Sequence, residues 1–191
     1  PRISSVTSGD EAIEMLEKRK FDLVVVLSRL SRADTINCGQ RIRERWPDLP
    51  VLLLLNDNTD LEALDNRGDL WLHYDNVFVW NGNSEIFLAM IKYIEDRRNA
   101  DKDTAIAQVR IILLVEDSIR YYSRYLPHLY SELIRQTTKL VEEELQEETK
   151  KVLRMRCRPK IILATSYEEA MKQYEHFEDY LLCVISDVKY K

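Results

Sequence analysis

The sequence predicts an α/β protein built on doubly wound parallel sheets, and three observations carry that prediction. Short apolar runs recur along the chain, among them Phe21–Leu27, Pro50–Leu55, Ile111–Val115 and Leu181–Ile185. Stretches with helical periodicity separate them, and such alternation specifies parallel strands with helices on both faces. Two of the runs end directly in acids, Glu116-Asp117 and Asp187.

The elements follow in order. Pro1–Ser8 reads as a short strand, and Gly9–Lys20 as an amphipathic helix with Ala12, Ile13 and Leu16 on one face. Phe21–Leu27 is an unbroken buried strand, and Gly39–Trp46 is a helix stopped by Pro47. Pro50–Leu55 is a strand, Thr59–Arg67 a short helix and Val77–Trp80 an edge-like strand. Ser84–Arg98 is a helix carrying Ile86, Ala89, Met90, Tyr93 and Ile94. The polar run Asn99–Thr104 then divides the chain into segments 1–104 and 105–191. In the second, Ile111–Val115 is a strand and Ser118–Arg156 is largely helix-forming, with a kink or restart expected at Pro127. A strand at Lys160–Thr165, a helix from Ser166 and the Leu181–Asp187 strand complete it.

Composition narrows the functional classes. With 45% hydrophobic and 32% charged residues in 191, the chain is of the globular kind, and a net charge of −5 gives no reason to expect nucleic acid. No apolar stretch approaches a membrane span and no signal-peptide pattern opens the chain, so the expected setting is cytoplasmic. Cys38, Cys157 and Cys183 have no C-x-x-C spacing, which argues against a zinc site or a disulfide framework. No G-x-G-x-x-G or Walker sequence occurs among the four glycines.

The acids at the strand ends carry the chemistry. Ligands in open α/β sheets bind at the carboxyl ends of strands. If the Ile111–Val115 and Leu181–Asp187 strands are neighbours, Glu116, Asp117 and Asp187 meet in one crevice. Three such carboxylates cannot all stay ionised without a cation, and their hard oxygens suit magnesium. The pair alone also suits a helix N-terminus, since Glu116-Asp117-Ser118 precedes a helix; the second acidic strand end favours a site.

This constellation resembles the receiver domain of two-component response regulators, a five-stranded flavodoxin-like fold with strand order 2-1-3-4-5. The resemblance implies that Glu116 and Asp117 hold Mg2+ together with Asp187 and the backbone carbonyl of Lys189. It implies that Asp187 is the phosphoacceptor, taking its phosphoryl group from a phosphohistidine donor protein. Segment 105–191 then supplies strands one to three of a receiver with an extended first helix. Segment 1–104 resembles a degenerate copy lacking strand one: Leu27 or Ser28 stands where the family has its acceptor, Asn56 or Asp57 where it has threonine or serine, and Trp80-Asn81-Gly82 where it has lysine-proline. Two partial receivers in tandem, with Arg154–Lys160 and Thr165–Ala170 flanking the second strand, resemble the amino-terminal region of phosphoenolpyruvate synthase and pyruvate phosphate dikinase homologues. That implies a fragment of a longer phosphotransferase-like chain cut at both ends, itself without the catalytic segments of the synthase. The other reading is a receiver-like scaffold that joins subunits without being phosphorylated.

The remaining features serve assembly. Leu126, Leu129, Leu133, Thr137, Leu140 and Val141 outline an apolar stripe, so a homo-oligomer through residues 118–156 is expected, with a helix packed on its own domain as the alternative. Because strand one is central, a strand must fill that slot in the first segment: in the intact protein upstream residues are expected there, leaving Ile111–Val115 for the second segment, and in the fragment Ile111–Val115 is expected to be recruited within one chain or exchanged between two copies. His128 in Pro-His-Leu-Tyr-Ser-Glu, together with His73 and His176, reads as structural; Tyr121, Tyr122 and Tyr125 seat the helix on the sheet; and Arg154, Arg156 and Arg158 read as a solvated turn.

Overall fold

A computed structural model of the protein describes residues 3–28, 32–64, 73–143 and 158–187. The chain forms two compact units, Pro1–Gly82 and Asn83–Lys191. Each contains one three-stranded, wholly parallel sheet. The α/β class with parallel strands therefore holds, and the described strands form two small sheets of three.

The first unit runs α1 (Gly9–Lys18), β1 (Val24–Leu27), α2 (Arg32–Arg45), β2 (Val51–Leu55), α3 (Asn58–Leu64) and β3 (Asn76–Val79), with sheet order β1-β2-β3. Central β2 is Val-Leu-Leu-Leu-Leu and wholly buried, as a strand covered on both faces requires. Residues 3–8, expected in a strand, form none: Ile3 is 82% exposed, and Ser8 instead caps α1 by accepting the Glu11 N–H at 3.2 Å. Glu11 reaches back to the Thr7 N–H at 2.9 Å, which completes the reciprocal cap. The α2 helix starts at Arg32, earlier than the apolar pattern suggests. At Gly39 it passes Tyr74 so closely that a Cβ would stand 2.8 Å from the ring.

The second unit runs α4 (Glu85–Ala107), β4 (Ile111–Val115), α5 (Ile119–Glu143), β5 (Lys160–Ala164), α6 (Tyr167–Phe177) and β6 (Leu181–Ser186), with sheet order β5-β4-β6. Here two expectations are corrected. Asn99–Thr104 is no linker but the continuation of α4, whose inner face includes buried Asp96, Ala100 and Thr104, and the division between units falls at Gly82/Asn83. Nor is Ile111–Val115 recruited by the first sheet; it belongs to the second, the place expected for it in the intact chain. It pairs with β5 on one side and β6 on the other, so both its edges are taken, and β1 is an edge strand among the described strands of its own sheet.

The α5 helix runs unbroken through Pro127, without the expected restart. Its inner face, with Ile119, Tyr122, Leu126 and Tyr130, is buried, while α4 packs along it. Tyr122 does seat the helix, whereas Tyr121 and Tyr125 are exposed and stack on each other with centroids 6.1 Å apart. The rest of the 118–156 stretch, from residue 144, lies outside the described residues.

Arg158 also departs from its solvated reading. It is buried, and its guanidinium forks onto Asp96 of α4 at 2.6 and 3.1 Å while lying 5.7 Å from the Tyr130 ring centroid. Lys160 stands 3.5 Å from Asp96 and 2.8 Å from Asp103. This bidentate, largely desolvated cluster ties α4 to the start of β5. Arg154 and Arg156 lie outside the described residues.

Candidate functional site

The site rests on the carboxyl ends of β4 and β6. β4 is Ile-Ile-Leu-Leu-Val with every residue buried, so the apolar run fixes the strand and its last residue puts the acids at the sheet's edge. The ladder extends one step past each strand. The Glu116 N–H donates to the Ala164 carbonyl at 3.0 Å, and the Asp187 N–H donates to the Val115 carbonyl at 3.3 Å. Glu116 and Asp187 are thereby set on neighbouring strand ends by the backbone itself.

Their environments differ. Glu116 is only 3% exposed, while Asp117 and Asp187 are exposed. Burial pushes the Glu116 carboxyl above its ordinary range; the Ser118 N–H, donating to it at 3.0 Å, opposes that, and the charges of Asp187 and Asp117 push it further up. Glu116 therefore makes the local hydrogen bond of a helix start and also feels both other acids.

Carboxylate oxygens of this kind are the ligands that hard divalent cations take. Among the described residues no group of three or more His, Cys, Asp and Glu side chains stands arranged to hold a metal ion. Lys189, whose carbonyl the sequence reading adds to the set, lies outside the described residues.

At the matching end of the first sheet the polar side chains satisfy one another. Ser28 donates to Asp60 at 2.7 Å, and the Asn56 N–H donates to both Ser28 Oγ and Asp60 at 3.1 Å. Asp57 accepts from the N–H groups of Thr59 and Asp60, and these contacts, led by the Thr59 hydroxyl, hold its carboxyl below the usual range. A cluster closed this way presents no acceptor carboxylate at the end of β1.

Two groupings escape sequence reasoning. One is the buried Asp96–Arg158–Lys160 cluster, and the other is the pair of His176 Nε2 and Asp101 Oδ1, 2.7 Å apart, which joins α6 to α4. Their partners lie 62 and 75 residues apart, beyond any local spacing signal. Of the cysteines, Cys38 is buried and its thiol pushed up by that burial, Cys183 is exposed, and Cys157 lies outside the described residues. No described helix is long and apolar enough to cross a membrane. No family model, curated protein or solved structure matches the chain.

Proposed function

We propose that the second unit is a regulatory phosphoacceptor module of the receiver type, in which Asp187 accepts a phosphoryl group from a phosphohistidine donor protein. The observation that carries this reading is the parallel sheet with order β5-β4-β6, whose middle strand ends in Glu116-Asp117 and whose neighbour ends in Asp187. That order equals the 2-1-3 portion of a doubly wound receiver sheet, and a crevice at the carboxyl edge of such a sheet is where ligands bind.

In this reading Glu116 and Asp117, with Asp187, hold Mg2+. When bound, the ion supplies positive charge beside the phosphoryl oxygens, where charge must be neutralised during transfer. The protein's share is positional. The β4–β6 ladder fixes Asp187 next to the acidic pair, and its exposure lets a donor protein bring phosphorus within reach of the carboxylate, which attacks as the bond to histidine breaks. The first unit acts differently: its closed Ser28–Asp60 network supports a non-phosphorylated interaction scaffold.

The test uses the natural full-length chain with acetyl phosphate and magnesium. One acid-stable, base-labile phosphoryl group per chain is expected. Asp187→Asn should abolish it, and Asp117→Asn should chiefly raise the magnesium concentration required. Equal labelling with Asp187 replaced would overturn the assignment.

A further inference from the structure

The α5 helix outruns the sheet it covers. It has 25 residues, about 37 Å, whereas β4 has five, about 16 Å. Its inner face is buried as far as Tyr130, and past Tyr130 no described side chain of the helix is buried. A helix in water is held mainly by the packing of one face, and a short stretch without that packing is marginal. The second half of α5 therefore gains most from a partner.

Opposite the buried face, Tyr121, Tyr125, His128, Glu132, Arg135 and Lys139 follow one another at intervals of alternately four and three residues, the spacing of a coiled-coil seam. All are exposed except Glu132, which is half-buried. The seam divides by chemistry. Its first half carries two tyrosine rings, 45% and 42% exposed, and its second half carries two cations. Arg135 donates to Glu132 of its own helix at 2.6 and 2.9 Å, in-plane bonds that use the edge of the guanidinium and not its faces.

We infer that a second copy of the chain packs antiparallel along this seam, with the two-fold axis at the level of Tyr130. About that axis the seam is its own complement. Tyr121 meets the partner's Lys139, Tyr125 meets the partner's Arg135, and His128 meets the partner's Glu132, each contact occurring twice. Rings thus lie against cations and an imidazole against a carboxylate at every position. A parallel copy in register would set Arg135 on Arg135 and Lys139 on Lys139, so like charge selects against it. The contact is a single helix pair about 27 Å long, at the small end of specific interfaces, which makes the pairing weak and dependent on concentration.

Sedimentation equilibrium of the 191-residue chain from about 10 μM to 1 mM should show a monomer–dimer equilibrium, with half of the chain paired on the order of 100 μM. His128→Glu sets carboxylates face to face at both contacts with Glu132 and should weaken pairing about tenfold. Glu132→Lys removes the acceptor there and should weaken it too. The two changes in one chain should restore pairing, because in an antiparallel pair the new carboxylate meets the new ammonium, whereas a parallel pair would clash at both positions. Tyr125→Ala, at an exposed site outside this charge pair, should weaken pairing about fivefold. Circular dichroism should show no loss of helix in that variant, since alanine is the better helix former. A chain still monomeric at about 1 mM overturns the inference. So does a double variant that pairs no better than either single one, or a Tyr125→Ala chain that pairs as well as the wild type.

Discussion

Glu116 is the residue whose physics is most exposed to test. Its carboxyl is raised above 4.5 by burial and by the neighbouring acids, so its charged form is disfavoured in the fold. A raised carboxyl adds nothing against stability while protonated in both states, and lowers stability as pH climbs from 4.5 through the folded value. Glu116→Gln, whose amide oxygen can still accept the Ser118 N–H, should therefore be more stable than the wild type at neutral pH. Thermal unfolding should show the difference close as pH falls to 4.5 and below, and magnesium should narrow it at neutral pH. A pH-independent difference would contradict the account. At Asp96 the expected sign is opposite. Removing this fully buried carboxylate leaves Arg158 and Lys160 buried without it, so Asp96→Ala should cost about 3–5 kcal/mol in chemical unfolding. Gly39→Ala forces a Cβ within 2.8 Å of the Tyr74 ring, whose hydroxyl is anchored on the Thr35 carbonyl at 2.7 Å, and should cost about 1–3 kcal/mol.

The strands differ in protection according to their place. β2 and β4 are central, paired on both sides and wholly buried, whereas β6 pairs only with β4 among the described strands and leaves Leu182, Val184 and Ile185 exposed. Amide hydrogen exchange should be slowest in β2 and β4 and distinctly faster in β6; equal protection of β4 and β6 would contradict this placement. The central strands are legible in the sequence because an apolar run such as Val51–Leu55, Val-Leu-Leu-Leu-Leu, needs no distant partner to declare itself buried. The acids after β4 and β6 are legible for the same reason, since a charge at the end of a buried run must sit at the sheet's edge. What stays hidden depends on tertiary pairing. Nothing local in Glu95-Asp96-Arg97-Arg98 announces that Asp96 is fully buried, where Arg158, 62 residues on, brings it compensating charge. The polar 99–104 run reads as a break because its inner positions, Ala100 and Thr104, are small or weakly polar, and the Thr104 hydroxyl folds back onto the Ala100 carbonyl at 2.8 Å.

At the scale of the whole molecule, two three-stranded parallel sheets of different strand order end in different chemistry. The first closes its strand-end polar groups on themselves through Ser28 and Asp60, and the second leaves two exposed acids beside a buried, strained one. The apolar stripe of α5 predicts association; of its members Leu126 is buried within the helix's own unit, while Leu129 and Leu133 are half-buried. The central claim is that Asp187 is the residue that carries phosphate. Its most direct measurement is to label the natural full-length chain with acetyl phosphate and magnesium, reduce the acyl phosphate with borohydride, and map the product by peptide mass spectrometry. The account predicts homoserine at position 187 and no reduced side chain at 116 or 117; reduction at another position, or none at 187 in a labelled chain, would contradict it.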